Sequence, residues 1–301
     1  MELLASICNK ESATGKADPG VYLYRIDTES GAVTPVPTEH PDLEPANGMT
    51  GLCHHGGKII GVRQQRPNQL VVLDPVSWAV EHVWSLKHSM AGHSLLSHDG
   101  SLYLVATGID SVLRITPPTG EEVIWSHGAA DADTIHCNGI TLHKGSVHIS
   151  GFGPKPGKLW GTAEAGFVLD VQSGERAISG IFHPHTVTDV AGELWWCESA
   201  RMSVCNARGQ RLTIADSYCR GLMVTDDQLI VGTSTGRKKS ESTGQVLELN
   251  TARGRLAGAC RVLVFDRVGD DVADSRLKLE IDLSGRGDEI YDLLPLPPHM
   301  G

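Results

Sequence analysis

A repeated pair of β-strand motifs is the feature that most constrains how this chain can fold. In the first motif, a stretch rich in β-forming residues runs into Asp, Asn or Thr and then into a turn that usually carries Gly. The Asx side chain bonds the turn backbone and Gly adopts a positive φ, so each copy predicts a β-hairpin. Copies occur at residues 24–31, 72–75, 114–120, 168–174, 204–209 and 248–254.

A second motif precedes each of the later copies. An apolar strand leads through a short polar turn to a strand that ends in small or polar residues, at residues 51–62, 94–105, 139–149, 187–196 and 221–231. The two motifs together supply four short strands in a unit of about forty residues, which is typical of a β-propeller blade. We therefore predict an all-β chain, with residues 1–301 forming a single domain that is a six-bladed β-propeller.

The two ends of the chain predict how the ring closes. Residues 3–8, 21–26 and 32–36 supply three strands and lack an innermost one, whereas residues 289–296 form an orphan strand. We expect this C-terminal strand to become the innermost strand of the N-terminal group, because such pairing removes free sheet edges. Residues 261–283 are predicted to add an extended outer strand and an exposed loop to the fifth blade.

The composition narrows the function classes. The formal net charge of −10 argues against a nucleic-acid binder, because neutralising phosphates requires a basic surface. The chain has no apolar run of about eighteen residues, and its first residues lack the features of a secretory signal, so we expect no membrane partner. The seven cysteines form no CxxC pair, which favours buried free thiols and a cytoplasmic protein. The sequence is compatible with a homo-oligomer.

Histidines stand where three successive innermost strands begin. These are His93, His136 and His185, with His183 close by. Three imidazoles around one axis suit a divalent transition metal such as Zn, Mn, Fe, Ni or Cu. Two alternatives stay open: the histidines line a polar substrate pocket without a metal, or they cap turns in the channel mouth as structural residues.

Other polar residues are expected at the same end of the channel. Arg63, Arg201 and Arg220 are candidates to bind a small anionic substrate that carries a carboxylate or phosphate, because guanidinium forks match these groups. Asn138 and Asn47, each followed by Gly at a strand start, complete the predicted substrate-binding set. Solvated loop charges are the alternative interpretation for the arginines.

Three residues are candidates for proton transfer. We assign this role to His183, Tyr291 and Glu289, since each combines a suitable group with a position near the channel. For Tyr291, a core position with a bonded hydroxyl is the alternative. The sequence contains no GxSxG, HExxH or Walker motif that would indicate a different catalytic apparatus.

The motifs where the inner strands begin resemble those of the bacterial DUF4915 family. The resemblance rests on residues 137–139, 183–186, 192–195, 220–222, 231–234 and 289–296 and extends from about residue 45 to the end. It implies the propeller and marks the same residues, but it implies no reaction. The Asn-Gly pairs also resemble those of gluconolactonase and strictosidine synthase-like propellers, although His stands here where an oxygen-rich metal ligand set would be sought.

The leading hypothesis is an enzyme whose active site lies at the mouth of the central channel. In this hypothesis a divalent metal polarises a carbonyl or carboxylate of the anionic substrate, and lyase, isomerase or hydrolase chemistry follows. The alternative is a propeller without catalysis that binds a ligand or another protein.

Overall fold

The computed structural model describes residues 1–8, 20–117, 120–128, 132–214, 217–235, 250–251, 254–255, 258–269 and 271–297. Within these ranges the fold consists of antiparallel β-strands, with short 3₁₀ turns at Thr107–Ile109, Trp160–Thr162, Ser199–Arg201 and Val272–Asp274. Among the described residues, no helix is long and apolar enough to cross a membrane. Three strands lie near the N-terminus: β1 (Glu2–Cys8), β2 (Leu23–Asp27) and β3 (Val33–Val36).

Four separate four-stranded sheets follow, and in each of them the strands pair in chain order. The first sheet contains β4 (Met49–His55), β5 (Lys58–Arg63), β6 (Gln69–Leu73) and β7 (Val80–Ser85). The second contains β8 (Gly92–His98), β9 (Ser101–Ala106), β10 (Ser111–Thr116) and β11 (Gly120–Ser126). The third contains β12 (Cys137–His143), β13 (Ser146–Gly151), β14 (Gly166–Asp170) and β15 (Arg176–Ile181). The fourth contains β16 (Pro184–Val190), β17 (Glu193–Glu198), β18 (Ser203–Asn206) and β19 (Arg211–Thr213).

The rest of the described chain supplies seven strands, and their pairing corrects part of the prediction. They are β20 (Tyr218–Val224), β21 (Gln228–Ser234), β22 (Asn250–Thr251), β23 (Gly254–Arg255), β24 (Arg261–Asp266), β25 (Arg276–Asp282) and β26 (Glu289–Pro295). Of the motif at residues 248–254, which was expected inside the fifth blade, the structure describes only residues 250–251 and 254; there β22 and β23 form a separate two-stranded sheet. Instead β24 pairs with β21, and β25 pairs with β24. The physical reason is burial: β24 carries a run of buried apolar side chains from Val262 to Phe265, which suits a strand with neighbours on both sides.

The C-terminal strand pairs with the N-terminal one, as predicted. Strand β26 runs antiparallel to β1, with Leu3 opposite Pro295 and Cys8 opposite Glu289. A single pair, Ser234 with Glu289, also joins β21 to β26. This bridge merges β20, β21, β24 and β25 with β26, β1, β2 and β3 into one eight-stranded sheet. The arrangement is therefore propeller-like, but its hydrogen bonding gives four four-stranded sheets, the small β22–β23 sheet and one large sheet, instead of six separate blades.

Hydroxyl groups tie each sheet to the start of the next innermost strand. Ser6 donates to the Thr50 carbonyl at 2.6 Å, and Thr50 donates to the Gly92 carbonyl at 2.8 Å. The later links of this kind are Thr107 to Cys137, Ser150 to Pro184 and Ser199 to Cys219. Because these bonds are buried between sheets, they fix the relative positions of the strand starts where the predicted site lies.

Apolar side chains fill the spaces between neighbouring sheets. One cluster, for example, contains Leu70 and Leu104 and joins the first sheet to the second. The seven cysteines are all buried and free, as the sequence indicated. Burial raises the pKa of the Cys205 thiol to about 12, so this thiol is protonated at neutral pH and behaves as a small apolar group.

Candidate functional site at the channel mouth

Four histidines lie where innermost strands begin, and two of them have unusual backbone conformations. His136 and His183 have φ of +51° and +48°, in the left-handed region that β-forming residues rarely occupy. The loop before β12 is held by the buried carboxylate of Asp110, which accepts bonds from the backbone of Thr134 and Ile135 and from the Thr134 hydroxyl. These bonds compensate for the strain and fix the position of the His136 ring.

The aromatic rings of the site form one continuous cluster, which we call the histidine cluster. The centroids of His93 and His136 are 5.4 Å apart, and His93 also packs edge-on against Tyr291 at 5.1 Å. The Phe152 ring stacks on His183 at 4.2 Å. Phe152 also contacts His136 and His185, and His185 contacts Tyr218, which is the last member of the histidine cluster. The predicted histidines therefore meet at one end of the channel.

The three predicted metal ligands do not occupy equivalent positions in their blades. Each innermost strand shifts its pairing register near its start, after Gly92 in β8, after Cys137 in β12 and after His185 in β16. His93 comes one residue after the last residue before the shift, His136 comes one residue before it, and His185 is that residue itself. All three histidines lie where an innermost strand begins, as the sequence indicated, but they are offset from one another by one or two residues along their strands.

The donor chemistry of the histidine cluster suits a metal, but its geometry does not. His136 and His185 both engage Nδ1 with a protein acceptor, as metal-binding histidines commonly do. However, the Phe152 ring packs against both imidazoles, with centroid distances of 4.5 and 5.1 Å. In the part of the chain that the structure describes, no three His, Cys, Asp or Glu side chains are arranged to hold a metal ion.

Hydrogen bonds define the tautomer of His185. The Ser199 hydroxyl donates to the Cys219 carbonyl at 2.5 Å, so its oxygen is free to accept from His185 Nδ1 at 2.9 Å. The His183 carbonyl is a second acceptor for the same Nδ1 hydrogen, at 3.2 Å. Nδ1 therefore carries the proton, and Nε2 presents its lone pair. His185 Nε2 is buried and has no hydrogen-bond partner among the described residues.

Burial keeps His185 neutral. Removal from water lowers the pKa of His185 well below its usual value, and the positive charge of Arg220 lowers it further. A neutral imidazole with a free Nε2 lone pair can accept a proton from a substrate.

The other two imidazoles with defined partners are held differently. His136 Nδ1 lies 3.0 Å from an Asp133 carboxylate oxygen, which accepts its hydrogen. His183 Nδ1 lies 3.1 Å from the hydroxyl of Tyr218. This contact forms a pair that can move a proton between ring and phenol.

Arg220 and Glu289 form a buried ion pair. Arg220 Nη1 lies 2.8 Å from a Glu289 carboxylate oxygen, and the two residues are only 7% and 2% exposed. The guanidinium carbon lies 4.9 Å from the ring centroid of Tyr291 and 5.4 Å from that of Tyr218. The predicted substrate-binding arginine and the predicted proton-transfer carboxylate are thus partners, and Glu289 offsets much of the charge that Arg220 would present to an anion.

The structure places the remaining predicted substrate-binding residues away from the histidine cluster or in supporting roles. Arg63 donates to the Glu44 carbonyl, and Arg201 pairs with Glu198 on the outer part of the fourth sheet. Asn138 lies at the start of β12, where its amide donates to the His136 carbonyl at 3.3 Å. Asn47 is exposed, and its backbone N–H bonds the Gln64 carbonyl.

Several site residues were missed by the sequence reasoning, although one of them could have been found. Phe152 and Trp160 belong to the β13–β14 connection, and Trp160 packs against His136 with a centroid distance of 4.6 Å. Tyr218 opens β20, and Ser199 follows β17. The Ser199 position could have been found from its repeat, because Thr107 at the corresponding place in the second sheet makes the same carbonyl contact.

Beyond the histidine cluster, the channel contains a cavity of about 510 Å³. All the innermost strands β4, β8, β12, β16, β20 and β26 contribute to its wall. The Asp292 carboxylate lies in this wall and accepts bonds from the backbone N–H groups of Leu52 and Leu293, both at 2.9 Å. Burial nevertheless raises the pKa of Asp292 to about 7.

Solved structures resemble this fold at low sequence identity. A nidogen/laminin complex is 12% identical, with 97% of both chains covered and a TM-score of 0.63. A protein of unknown function from Bacteroides caccae is 9% identical, with 98% of both chains covered and a TM-score of 0.62. Virginiamycin B lyase from Staphylococcus aureus, in a catalytically inactive form with quinupristin, is 12% identical over 88% of this chain and 96% of that one, with a TM-score of 0.50. These identities support the fold alone.

Sequence comparison identifies the family. No curated protein sequence matches this chain. The family model described as a domain of unknown function, DUF4915, matches residues 77–300, which include the start of every innermost strand from β8 onwards. This match confirms the resemblance drawn from the inner-strand motifs, and the chain belongs to the DUF4915 family.

Proposed function

We propose that this protein is a six-bladed propeller enzyme, folded as a single domain, that carries out proton-transfer chemistry on a small anionic substrate at the channel mouth. The six blades are supported by contacts between neighbouring innermost strands around the whole circle, including β20 with β26 and β26 with β4. The shared cavity wall supports the same ring. In this interpretation, the eight-stranded sheet is two blades joined by the bridge between Ser234 and Glu289.

The observation that carries the functional proposal is the state of His185. Its Nδ1 proton is held by Ser199 and its Nε2 lone pair is buried, so Nε2 is the base of the proposed reaction. Burying an imidazole costs free energy unless it is hydrogen-bonded, and the bond to Ser199 offsets this cost at Nδ1. We therefore assign His185 as the general base, whereas the sequence pointed to His183, Tyr291 and Glu289 for proton transfer.

The proton that returns to the substrate would come from a tyrosine hydroxyl of the histidine cluster or next to it. His183 and Tyr218 are bonded to each other, and Tyr291 lies on the other side against His93. A base and an acid on different sides of one substrate are the requirement shared by lyases, isomerases and many hydrolases. In this scheme Glu289 holds the Arg220 guanidinium in place and offsets part of its charge, and Arg220 donates hydrogen bonds to the carboxylate or phosphate of the substrate.

Deuterium incorporation tests the role of His185. Purified protein is incubated in D₂O with small carboxylates, lactones and phosphate esters, and NMR follows exchange and turnover. We expect His185→Gln to lose about 10²-fold or more of the rate, as removal of a general base does. His98→Gln is the matched control, since His98 lies outside the histidine cluster and pairs with Asp99. Equal rates in the two variants would contradict the proposal.

The metal at His93, His136 and His185 remains a prediction from the sequence. It requires movement of the rings past Phe152, since that side chain contacts two of the three imidazoles. Metal analysis of the purified protein after supplementation, compared with His136→Ala, tests it. Stoichiometric metal in the wild type that is lost in the variant would support a metal-dependent reaction.

The deuterium experiment also tests the alternative, a propeller that binds a ligand or another protein without catalysis. The large exposed apolar side chains among the described residues lie in different parts of the chain, for example Val76, Val123 and Leu277. They give no specific support for a large protein-binding surface. Saturable binding of a compound from the panel without exchange or turnover would favour a ligand-binding function instead.

A further inference from the structure

A second cavity lies on the outer part of the molecule, between the third and fourth sheets. Its volume is about 380 Å³. The edge strand β15 forms one wall, and residues of β17 to β19 form the other. None of the residues that line it belongs to the histidine cluster. We call it the Glu198 pocket.

The Glu198 pocket is built around a carboxylate that is almost inaccessible to water. The Glu198 side chain is 1% exposed, yet it contacts two guanidinium groups. Arg201 Nη1 lies 3.2 Å from one carboxylate oxygen, and Arg211 bonds the other. The Phe182 backbone N–H also donates to Glu198, at 3.1 Å. A buried carboxylate needs one cation for neutrality, so the second arginine leaves an excess positive charge in the pocket.

Both arginines are held in place while part of each remains open to solvent. The Arg201 guanidinium carbon lies 3.7 Å from the centroid of the Phe182 ring, a stacking contact that restricts its side chain. The side chains of Arg201 and Arg211 are 43% and 38% exposed. A guanidinium has five N–H donors in a fixed fork, so pairing with Glu198 leaves donors on each group that can meet a ligand.

A buried donor without an acceptor also lines the pocket. Trp196 is 5% exposed, and its indole N–H has no hydrogen-bond partner among the described residues. A buried N–H that lacks an acceptor costs free energy, and an acceptor atom of a ligand would remove this cost.

We propose that the Glu198 pocket binds a small anion through Arg201 and Arg211, with the ligand presenting a carboxylate or a phosphate group. Planar guanidinium forks recognise both groups by paired hydrogen bonds. Arg201 was predicted to bind the substrate in the channel, and this proposal assigns it to a separate site instead. It does not rest on the enzyme proposal, and either can fail without the other.

Titration with two simple probes tests the proposal. Inorganic phosphate and acetate are added separately at constant ionic strength, and NMR follows the Trp196 indole N–H signal, assigned with Trp196→Phe. We expect saturable shifts of this signal with at least one probe. The probe that binds more tightly identifies the preferred group.

Charge-matched variants decide whether the arginines form the site. Arg201→Gln keeps Arg211 on the buried carboxylate, and we expect affinity to fall about tenfold or more, because a charged hydrogen bond is lost. Arg208→Gln is the control with the same charge change, since Arg208 pairs with Glu193 outside the pocket. The proposal would be overturned if neither probe gave a saturable shift, or if the two variants bound the probe with equal affinity.

Discussion

At the scale of the residue, Asp292 shows how burial and hydrogen bonding compete. Two backbone N–H groups favour its charged form, but burial in the channel wall dominates and raises the pKa of Asp292 to about 7. Between its ordinary pKa of 3.8 and this value, the folded protein binds a proton at Asp292 that the unfolded chain does not. The stabilising contribution is therefore complete below about pH 4 and is lost as the pH rises through 7.

We predict that wild-type stability falls relative to Asp292→Asn between pH 5 and pH 7. The difference should change by roughly 1 kcal/mol per pH unit, because the variant cannot ionise. Urea unfolding at several pH values measures it, and only the slope matters, since Asn also alters the bonds to Leu52 and Leu293. Parallel pH profiles for the two proteins would show that Asp292 titrates normally.

At the scale of the element, the loop before β12 determines where an imidazole points. Asp110 ends the 3₁₀ turn after β9 in a left-handed conformation and reaches into this loop from the neighbouring sheet. Its carboxylate accepts several backbone hydrogen bonds, and Asn would place donors against those N–H groups. We predict that Asp110→Asn lowers the free energy of unfolding by about 2 kcal/mol and shifts the His136 NMR signals.

Asp99→Asn is the control for this substitution. Its side chain is 82% exposed in a hairpin turn, so the free energy of unfolding should change by less than about 0.5 kcal/mol. Similar losses in both variants would mean that the hydrogen bonds of Asp110 do not stabilise the loop.

Local sequence patterns predicted where the strands lie better than they predicted which strands and side chains contact one another. The strands near both chain ends and the start of each inner strand followed from apolar runs and turn residues, because these depend on neighbours in sequence. The fifth blade was harder to predict, since the choice of β24 over β22 depends on which segment is buried between other strands. The ring of Phe152 between the histidines could not be predicted, because it depends on how two sheets approach each other.

At the scale of the whole molecule, the proposed ring depends on one strand from the far end of the chain. Strand β26 pairs along most of β1, and Ser6 bonds both the Asp292 N–H and the Thr50 carbonyl. Its removal would expose the edge of β1 and open the channel wall. We predict that a chain ending at residue 287 loses cooperative unfolding, whereas one ending at residue 297 keeps it. Calorimetry compares the two, and cooperative unfolding of the shorter chain would argue against ring closure by β26.

We infer that the proposed ring brings imidazoles to one channel end and holds His185 as a neutral base. The most direct measurement is a pH titration of ¹⁵N-histidine-labelled protein by NMR, with His185→Gln for assignment. We expect that, between pH 5 and pH 8, His185 keeps its proton on Nδ1 while Nε2 stays unprotonated. Protonation of Nε2 near the ordinary histidine pKa of 6.5 would contradict it.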